Sequence, residues 1–236
     1  MADFNHRSKD LEIMDNLRCT GEVVNQTLRE LEVINHWLGG NRVTLDGIEL
    51  LLKRQHFDRP LSIVDLGCGG GDILKLIVPW AKKHKITTQL RGIDANPNII
   101  DFASTHAKKY PEITFETVNI LSENFQKRKF DIVLATLFTH HFSDHQLVEM
   151  LRALKRQAQI GIVINDIHRH WLAFYSIRIL TWLFSKSVMV KFDAPLSVLR
   201  AFQRNELESI LAKAEIKHFT LRWKWAFRWQ LIIPSS

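Results

Sequence analysis

The 236-residue chain predicts an α/β fold, a doubly wound and mostly parallel seven-stranded sheet, and three observations carry that reading. Short β-rich runs alternate with helical segments between residues 61 and 167. One of those runs empties into a string of glycines. The chain then closes on two strand-like runs with almost nothing between them. Alternation of this kind builds a parallel sheet with helices on both faces, and so short a final link forces an antiparallel hairpin at the sheet edge.

The expected strands are 62–66, 88–93, 114–118, 130–135 and 160–165, then 217–223 and 226–233. Helical apolar spacing marks 72–84, 98–109 and 144–156, each long enough for a parallel crossover. Ahead of them Leu11, Met14 and Leu17, then Leu28, Leu31, Ile34 and Leu38, then Leu45, Ile48, Leu51 and Leu52 recur at helical spacing, interrupted by Gly39-Gly40. Residues 1–58 are therefore expected as an N-terminal helical appendage, a lid, and 59–236 as the main domain, with Arg59-Pro60 as the break. After the fifth strand the sequence predicts a hydrophobic helix over 170–184, an irregular stretch around Asp193-Ala194-Pro195, and a helix over 205–214. A helical insertion at about 168–203 thus precedes the hairpin.

An apolar content of 46% is ample for a packed core. Cys19 and Cys68 furnish neither a zinc cage nor a disulfide framework, so no metal centre is expected and a reducing, cytoplasmic compartment fits. The polar start of the chain has no apolar core of the secretory kind. Residues 171–190 are greasy but carry Arg178 and Lys186, and a charge near mid-bilayer costs about 2.5–3.5 kcal/mol. This segment is expected to be a largely buried helix and not a membrane span. A net charge of +7 favours an acidic partner without choosing among nucleic acid, an anionic membrane surface and a carboxylated substrate.

The sharpest local feature is Ile63-Val64-Asp65-Leu66-Gly67-Cys68-Gly69-Gly70-Gly71-Asp72. A strand running through glycines into a helix is where a doubly wound sheet binds its ligand, because a backbone without Cβ atoms allows close approach. Asp94 closes the second strand, where a carboxylate accepts hydrogen bonds from ribose. Charge separates the two cofactors that suit this geometry. A dinucleotide pyrophosphate would be repelled by Asp65 and Asp72, whereas S-adenosylmethionine brings an ammonium and a sulfonium that both attract. The dinucleotide fingerprint also wants Gly or Ala at its sixth position, which counted from Gly67 is Asp72.

These residues resemble the class I S-adenosylmethionine-dependent methyltransferases, whose sheet is Rossmann-like. The resemblance rests on the glycine loop, on Gly92-Ile93-Asp94, on Phe130-Asp131-Ile132-Val133 leading to Leu137-Phe138-Thr139-His140-His141-Phe142, and on the terminal hairpin. It implies that Asp65, Gly67, Cys68 and Gly69 line the methionine end of the cofactor, with Asp94 and Ala95 at the ribose. It further implies Asn119 and Ile120 beside adenine, where the family usually has an acidic residue, and Thr136 and Leu137 near the departing methyl. S-adenosylhomocysteine would be the product.

Displacement at a sulfonium methyl needs mainly positioning, and a phenol also benefits from a base. Candidates for that base are His168, Asp166 and His140, with Asp166 alternatively an N-cap for the helix that follows. Arg169 and Arg200 suit an anionic group of the acceptor. Met14, Trp37 and His141 would face the acceptor if the N-terminal helices fold over the site. Trp171, Phe174, Tyr175, Trp182 and Phe184 read as core. A finer resemblance, through segments such as Asn165-Asp166-Ile167-His168-Arg169-His170-Trp171, points to bacterial enzymes of polyketide and pigment biosynthesis and more distantly to those of quinone biosynthesis. It implies a small phenolic or polyketide-derived acceptor, anionic and aromatic, methylated on oxygen, with a quinone precursor methylated on carbon as the alternative. Nucleic acid is the rival acceptor, prompted by Lys82-Lys83-His84-Lys85, Lys127-Arg128-Lys129 and Arg228-Trp229. Alternation of Leu221, Trp223 and Trp225 with Arg222 and Lys224 instead suits a half-buried strand, and the fourth strand ends in no Asn-Pro-Pro-Tyr-type motif.

Overall fold

In a computed structural model describing residues 2–53 and 57–235, the chain order is α1 (Glu22–Trp37), α2 (Gly40–Leu52), β1 (Leu61–Leu66), α3 (Asp72–Lys83), β2 (Thr88–Asp94), α4 (Pro97–His106), β3 (Ile113–Thr117), α5 (Glu123–Gln126), β4 (Phe130–Thr136), α6 (Asp144–Gln157), β5 (Ala158–Ile167), α7 (Trp171–Phe184), α8 (Val188–Arg200), α9 (Arg204–Lys213), β6 (Thr220–Lys224) and β7 (Arg228–Pro234). Short 3-10 turns stand at Ile13–Asp15 and Thr139–His141. The strands form one seven-stranded sheet in the order β3-β2-β1-β4-β5-β7-β6. β1 to β5 run parallel, and β7 lies antiparallel to both β5 and β6. This is the doubly wound arrangement expected, with the hairpin at the edge.

Central parallel strands are buried on both faces, which is why β1 and β4 are nearly continuous apolar runs. Alternate residues serve opposite layers. Val64, Leu66 and Val133 pack with α6 and α9; Ile63, Ile132 and Leu134 pack with α2 and α3. Each such buried side chain contributes roughly 1.5–3 kcal/mol.

The N-terminal region divides differently from the lid expected over 1–58. α2 belongs to the sheet core: Ile48 is fully buried beside Leu61 and Val163. Residues 11–17 and α1 lie over the ligand edge, where Leu28, Leu31 and Ile34 line a cavity that α2 reaches through Asn41.

In three further places the tertiary structure departs from the local reading. The stretch around Asp193-Ala194-Pro195, expected as irregular, is the middle of α8. Proline removes one backbone donor there, yet α8 buries Met189, Val190, Leu196 and Val198, and the helix persists. Asp166 lies within β5, and the α7 cap is His170, whose side chain accepts the Leu172 N–H at 3.2 Å. Finally, α7 is not the buried helix its composition suggests. Ala173, Phe174 and Thr181 are its only buried residues, while Trp171, Tyr175, Trp182 and Phe184 are exposed.

The basic runs that prompted a nucleic-acid reading are also locally committed. Lys82 pairs with Glu112 at 3.2 Å and Arg128 with Glu116 at 2.7 Å, and both Arg228 and Trp229 are buried.

Gly47 tests the fit of α2 on the sheet. Alanine there gains about 1 kcal/mol of helix propensity, but its Cβ would stand 2.5 Å from a Val163 methyl, and overpacking costs about 1–3 kcal/mol. Gly47→Ala is therefore expected to lower the urea midpoint; a raised midpoint would mean that α2 rides loosely on β5.

Candidate active site

The carboxyl ends of β1, β2 and β4 open into a cavity of about 670 Å³. Its floor is the loop from Gly67 to Gly71. Gly67 and Gly69 have φ of +63° and +50°, the left-handed region that side chains disfavour. A Cβ on Gly67 would also lie 2.1 Å from the Phe138 ring, so the residue is glycine for two reasons. Across the floor, Leu137 itself has φ +53°. That non-glycine residue is held in place by donating its N–H to the Asn165 carbonyl at 2.8 Å, a strained position of the sort that clusters at functional sites.

Three carboxylates surround this floor. Asp65 is buried, and its Oδ1 has no hydrogen-bond partner among the described residues. Burial, reinforced by the nearby charges of Asp72 and Asp94, raises its pKa well above the usual carboxylate range. Burial also raises Asp94, against the pull of N–H groups from Asn96, Gly69 and Ala95. Asp72 is pushed up to about 6, mainly by burial, although Lys75 bonds it at 2.8 Å. Lys75 is shared with Glu32 at 3.0 Å, so its charge is spent outside the floor. An unpartnered buried carboxylate with like-charged neighbours is a site for a cation. The residues present thus fit the ammonium of an amino-acid-bearing cofactor and disfavour a pyrophosphate.

On the opposite wall stands a buried histidine. His140 Nδ1 meets Asp166 Oδ1 at 2.7 Å, and the His140 and Ile167 N–H groups and the Thr139 hydroxyl also donate to Asp166. These contacts fix Nδ1 toward Asp166 and leave Nε2 facing the cavity side. There Nε2 lies 3.6 Å from Glu12 Oε1. Burial opposes charging His140, but Asp166 and Glu12 outweigh it and raise the pKa to about 9. Asp166 and Glu12 are correspondingly lowered, burial again opposing and His140 prevailing.

Glu12 arrives on a strap formed by residues 11–17, which a polar cluster holds down. Asp15 bonds Arg200 and, at 2.6 Å, His141 Nδ1. Arg200 also donates to the His141 carbonyl at 2.8 Å. The Ile13 and Met14 N–H groups donate to Asp193 at 2.8 and 3.1 Å. Glu12, His140 and His141 lie close enough together to collect a cation, but the Arg200 guanidinium already supplies positive charge there, 3.9 Å from Glu12.

Residues 63–161 match the family model described as a methyltransferase domain. That segment of the chain thus carries the signature of a methyltransferase domain. Among curated proteins it is 24% identical over 123 residues to the mitochondrial ubiquinone biosynthesis O-methyltransferase of Candida albicans, matching 50% of this chain and 36% of that one. The chain thus spans little more than a third of that relative's length. Among solved structures it is similar to the plantazolicin methyltransferase BpumL in complex with SAH, at 16% identity and TM-score 0.60 over 89% of this chain and 98% of that one. It is also similar to the CMeT domain of the citrinin polyketide synthase, at 18% identity and TM-score 0.60 over 80% and 50%.

The expected cofactor residues Asp65, Gly67, Cys68, Gly69, Asp94, Ala95, Asn119, Ile120, Thr136 and Leu137 all line one cavity. Asn119 Oδ1 accepts the Leu121 N–H at 2.9 Å, and the Thr136 hydroxyl bonds that of Thr44 at 2.9 Å. Of the expected bases, only His140 lines the cavity, with Asp166 behind it. His168 does not line it: its Nδ1 accepts the Trp223 indole N–H at 3.2 Å and its ring stands against Trp229. Met14 and His141 line the cavity, whereas Trp37 is 81% exposed and does not.

The arginine expectations are corrected in the same way. Arg169 is wholly buried, donating to Glu206 at 2.6 Å and to the Ala201 and Phe4 carbonyls. Arg200 serves the strap. The unspent guanidinium is Arg228, which lines the cavity and donates to Asn35 Oδ1 at 3.0 Å. Its Nη1 has no partner among the described residues, and burial lowers its pKa to about 10. Its sequence signal was faint: Arg228 and Gln230 put two polar residues on one face of an otherwise apolar strand. Glu12 and Asp15 left no periodic signal, because they act from an irregular strap.

A histidine whose pKa rises on folding stabilises the native state fully below its unfolded value, near 6.5, and that contribution fades as the pH climbs to about 9. Native stability is therefore expected to fall between pH 6.5 and 9, with His140 contributing on the order of 2 kcal/mol. Chemical denaturation across this window, with His140→Gln alongside, isolates the slope; parallel curves would show that His140 gains no proton affinity on folding.

Proposed function

We propose that this chain transfers the methyl group of S-adenosylmethionine to a hydroxyl oxygen of a small phenolic or polyketide-derived acceptor bearing an anionic group. One observation carries the reading: the cation-seeking carboxylate Asp65 and the His140–Asp166 pair face one cavity. When bound, the cofactor supplies a methyl group activated by its sulfonium charge. Asp65 receives the ammonium, Asp94 the ribose hydroxyls, and Asn119 and Ile120 the adenine. Cys68, Gly69 and Ala95 shape the wall between them, and Thr136 and Leu137 border the reacting carbon. An apolar cavity of this size suits an aromatic acceptor, with Met14 and His141 beside it.

Asp166 holds His140 in the tautomer with a proton on Nδ1, so that Nε2 takes the acceptor proton and Asp166 stabilises the imidazolium that forms. Glu12 favours that imidazolium prematurely, so the acceptor must displace its influence for His140 to act as a base. Arg228 offers its free N–H to the acceptor's carboxylate or phenolate, a charge-assisted contact in a dry setting. Carbon methylation is the second reading. The similarity to a polyketide synthase CMeT domain favours it, and the same base would serve an acidic carbon. Assays of labelled methyl transfer across phenols, quinol precursors and polyketide acids test both, with the methylated atom located by NMR; no transfer to any of them would reject both.

Asp65→Asn removes a buried carboxyl group whose Oδ1 has no partner among the described residues, and with it the partner for a cation. It is expected to leave the free protein as stable or more stable, yet to weaken S-adenosylmethionine binding about tenfold or more by calorimetry. Unchanged affinity would remove Asp65 from the site.

In Glu12→Gln the carboxylate that raises His140 is lost. The rising limb of kcat/KM with pH is expected to move to lower pH, and in Arg228→Leu the KM for carboxylated acceptors should rise about tenfold with little change for neutral ones. An unmoved limb in the first variant would show that His140 is not the titrating base.

A further inference from the structure

The outer face and the C-terminal end of α7, with the start of α8, carry a large uncovered apolar surface. Trp182 and Phe184 are 71% and 77% exposed, and Trp171, Tyr175, Ile179 and Phe192 are exposed with them. A contiguous patch of large apolar side chains marks an interaction surface. Among the described residues nothing covers it.

Charge indicates what does. Between Asp166 and Asp193 the sequence contains no acidic residue, while Arg178, Lys186 and Lys191 are all exposed, and none makes an ion pair among the described residues. The carboxylate that reaches this face from a neighbouring element, Glu30 of α1, is spent on the Ser185 hydroxyl and on the Lys186 and Ser187 N–H groups at 3.1 and 3.2 Å. Asp193 points away, toward the strap. Arg178 and Lys191 flank a shallow groove of about 370 Å³ between the two helices, walled by Tyr175 and Trp182. Two cations beside aromatic rings suit a phosphodiester. Tryptophans with lysine and arginine among aliphatic side chains are the composition of a helix lying at a bilayer surface. At 14 residues α7 is about 21 Å long, short of a hydrocarbon core of about 30 Å, and no helix among the described residues is long and apolar enough to cross a membrane.

We propose that the α7–α8 face docks this protein onto the surface of an anionic phospholipid bilayer. The aromatic side chains seat at the boundary of headgroups and acyl chains, and Arg178, Lys186 and Lys191 engage lipid phosphates. The opposite face of α7, through Ala173, Ser176, Ile177 and Leu180, lines the methyl-transfer cavity. The helix is therefore the wall between bilayer and active site, placed to admit an apolar acceptor held in the membrane. Docking goes beyond the proposed reaction and does not depend on it, since vesicle binding is read without turnover.

Co-sedimentation of the full chain with vesicles tests this. The protein should pellet with phosphatidylcholine vesicles containing a quarter phosphatidylglycerol, pellet less as salt rises, and stay largely in solution with phosphatidylcholine alone. Arg178→Glu with Lys191→Glu should lower the partition coefficient by about fivefold or more per cation removed, and Trp182→Ser with Phe184→Ser by tenfold or more. None of these residues touches the cofactor floor, so S-adenosylmethionine binding by each variant serves as the check on folding. Independently of those variants, brominated acyl chains should quench the tryptophan fluorescence of the wild type, and less so in the conservative Trp182→Phe. Failure of the wild type to bind anionic vesicles overturns the proposal, as does equal binding or equal quenching by the variants. So does a concentration-dependent dimer in sedimentation velocity that the Trp182→Ser, Phe184→Ser protein no longer forms, which would assign the face to a second copy of the chain.

Discussion

Buried negative charge at the carboxyl edge of the sheet is the constraint around which this molecule is organised. Asp65 and Asp94 end the first two strands in places that folding makes dry, and burial raises both above their ordinary range. In a single chain this is unfavourable. Lys75 is held by Asp72 and Glu32, and Asp65 Oδ1 has no partner among the described residues. The glycine loop turns through left-handed conformations beneath the cavity, so no side chain of the loop reaches over the floor. The structure thus stores a demand for a cation at this edge of the sheet.

The opposite wall is built on the reverse logic. His140 and Asp166 satisfy one another completely, and three further donors reach Asp166, so this pair is rigid before any ligand arrives. Only the outward nitrogen is left to respond, and the strap supplies Glu12 to it at a distance beyond a good hydrogen bond. Arg200 couples the two levels, since one guanidinium holds Asp15 of the strap and the carbonyl of His141. A shift of the strap therefore changes the electrostatics at His140 without moving the imidazole. The cavity has a floor and a back wall built on strand ends, whereas the strap over it is irregular and is tied down through side chains.

The legible part of the site was the part written in backbone terms. Gly67, Gly69, Asp65 and Asp94 sit at the ends of consecutive strands, so a strand-and-crossover pattern places them together before any side chain is considered. His140 and His168 were indistinguishable by that criterion, because both follow strands that end at the same edge. Their roles were separated by rotation: His168 turned toward Trp223 and Trp229, while His140 turned onto Asp166. The arginines show the same limit. Arg169 and Arg200 have the chemistry to hold an anion, but internal carbonyls and carboxylates consume both, whereas Arg228 keeps Nη1 without a partner among the described residues.

By itself the sequence determined the layered α/β architecture, the parallel crossovers and the ligand edge, since these follow from periodicity, glycine placement and strand polarity, all of which are local. Only the tertiary structure decided that Pro195 lies inside a helix, that α2 is core, that α7 turns its aromatic side chains outward, and which histidine and arginine face the cavity. Each of those outcomes depends on what one segment finds opposite it after folding. A partner distant in the chain leaves no mark on the spacing of the residues it will meet.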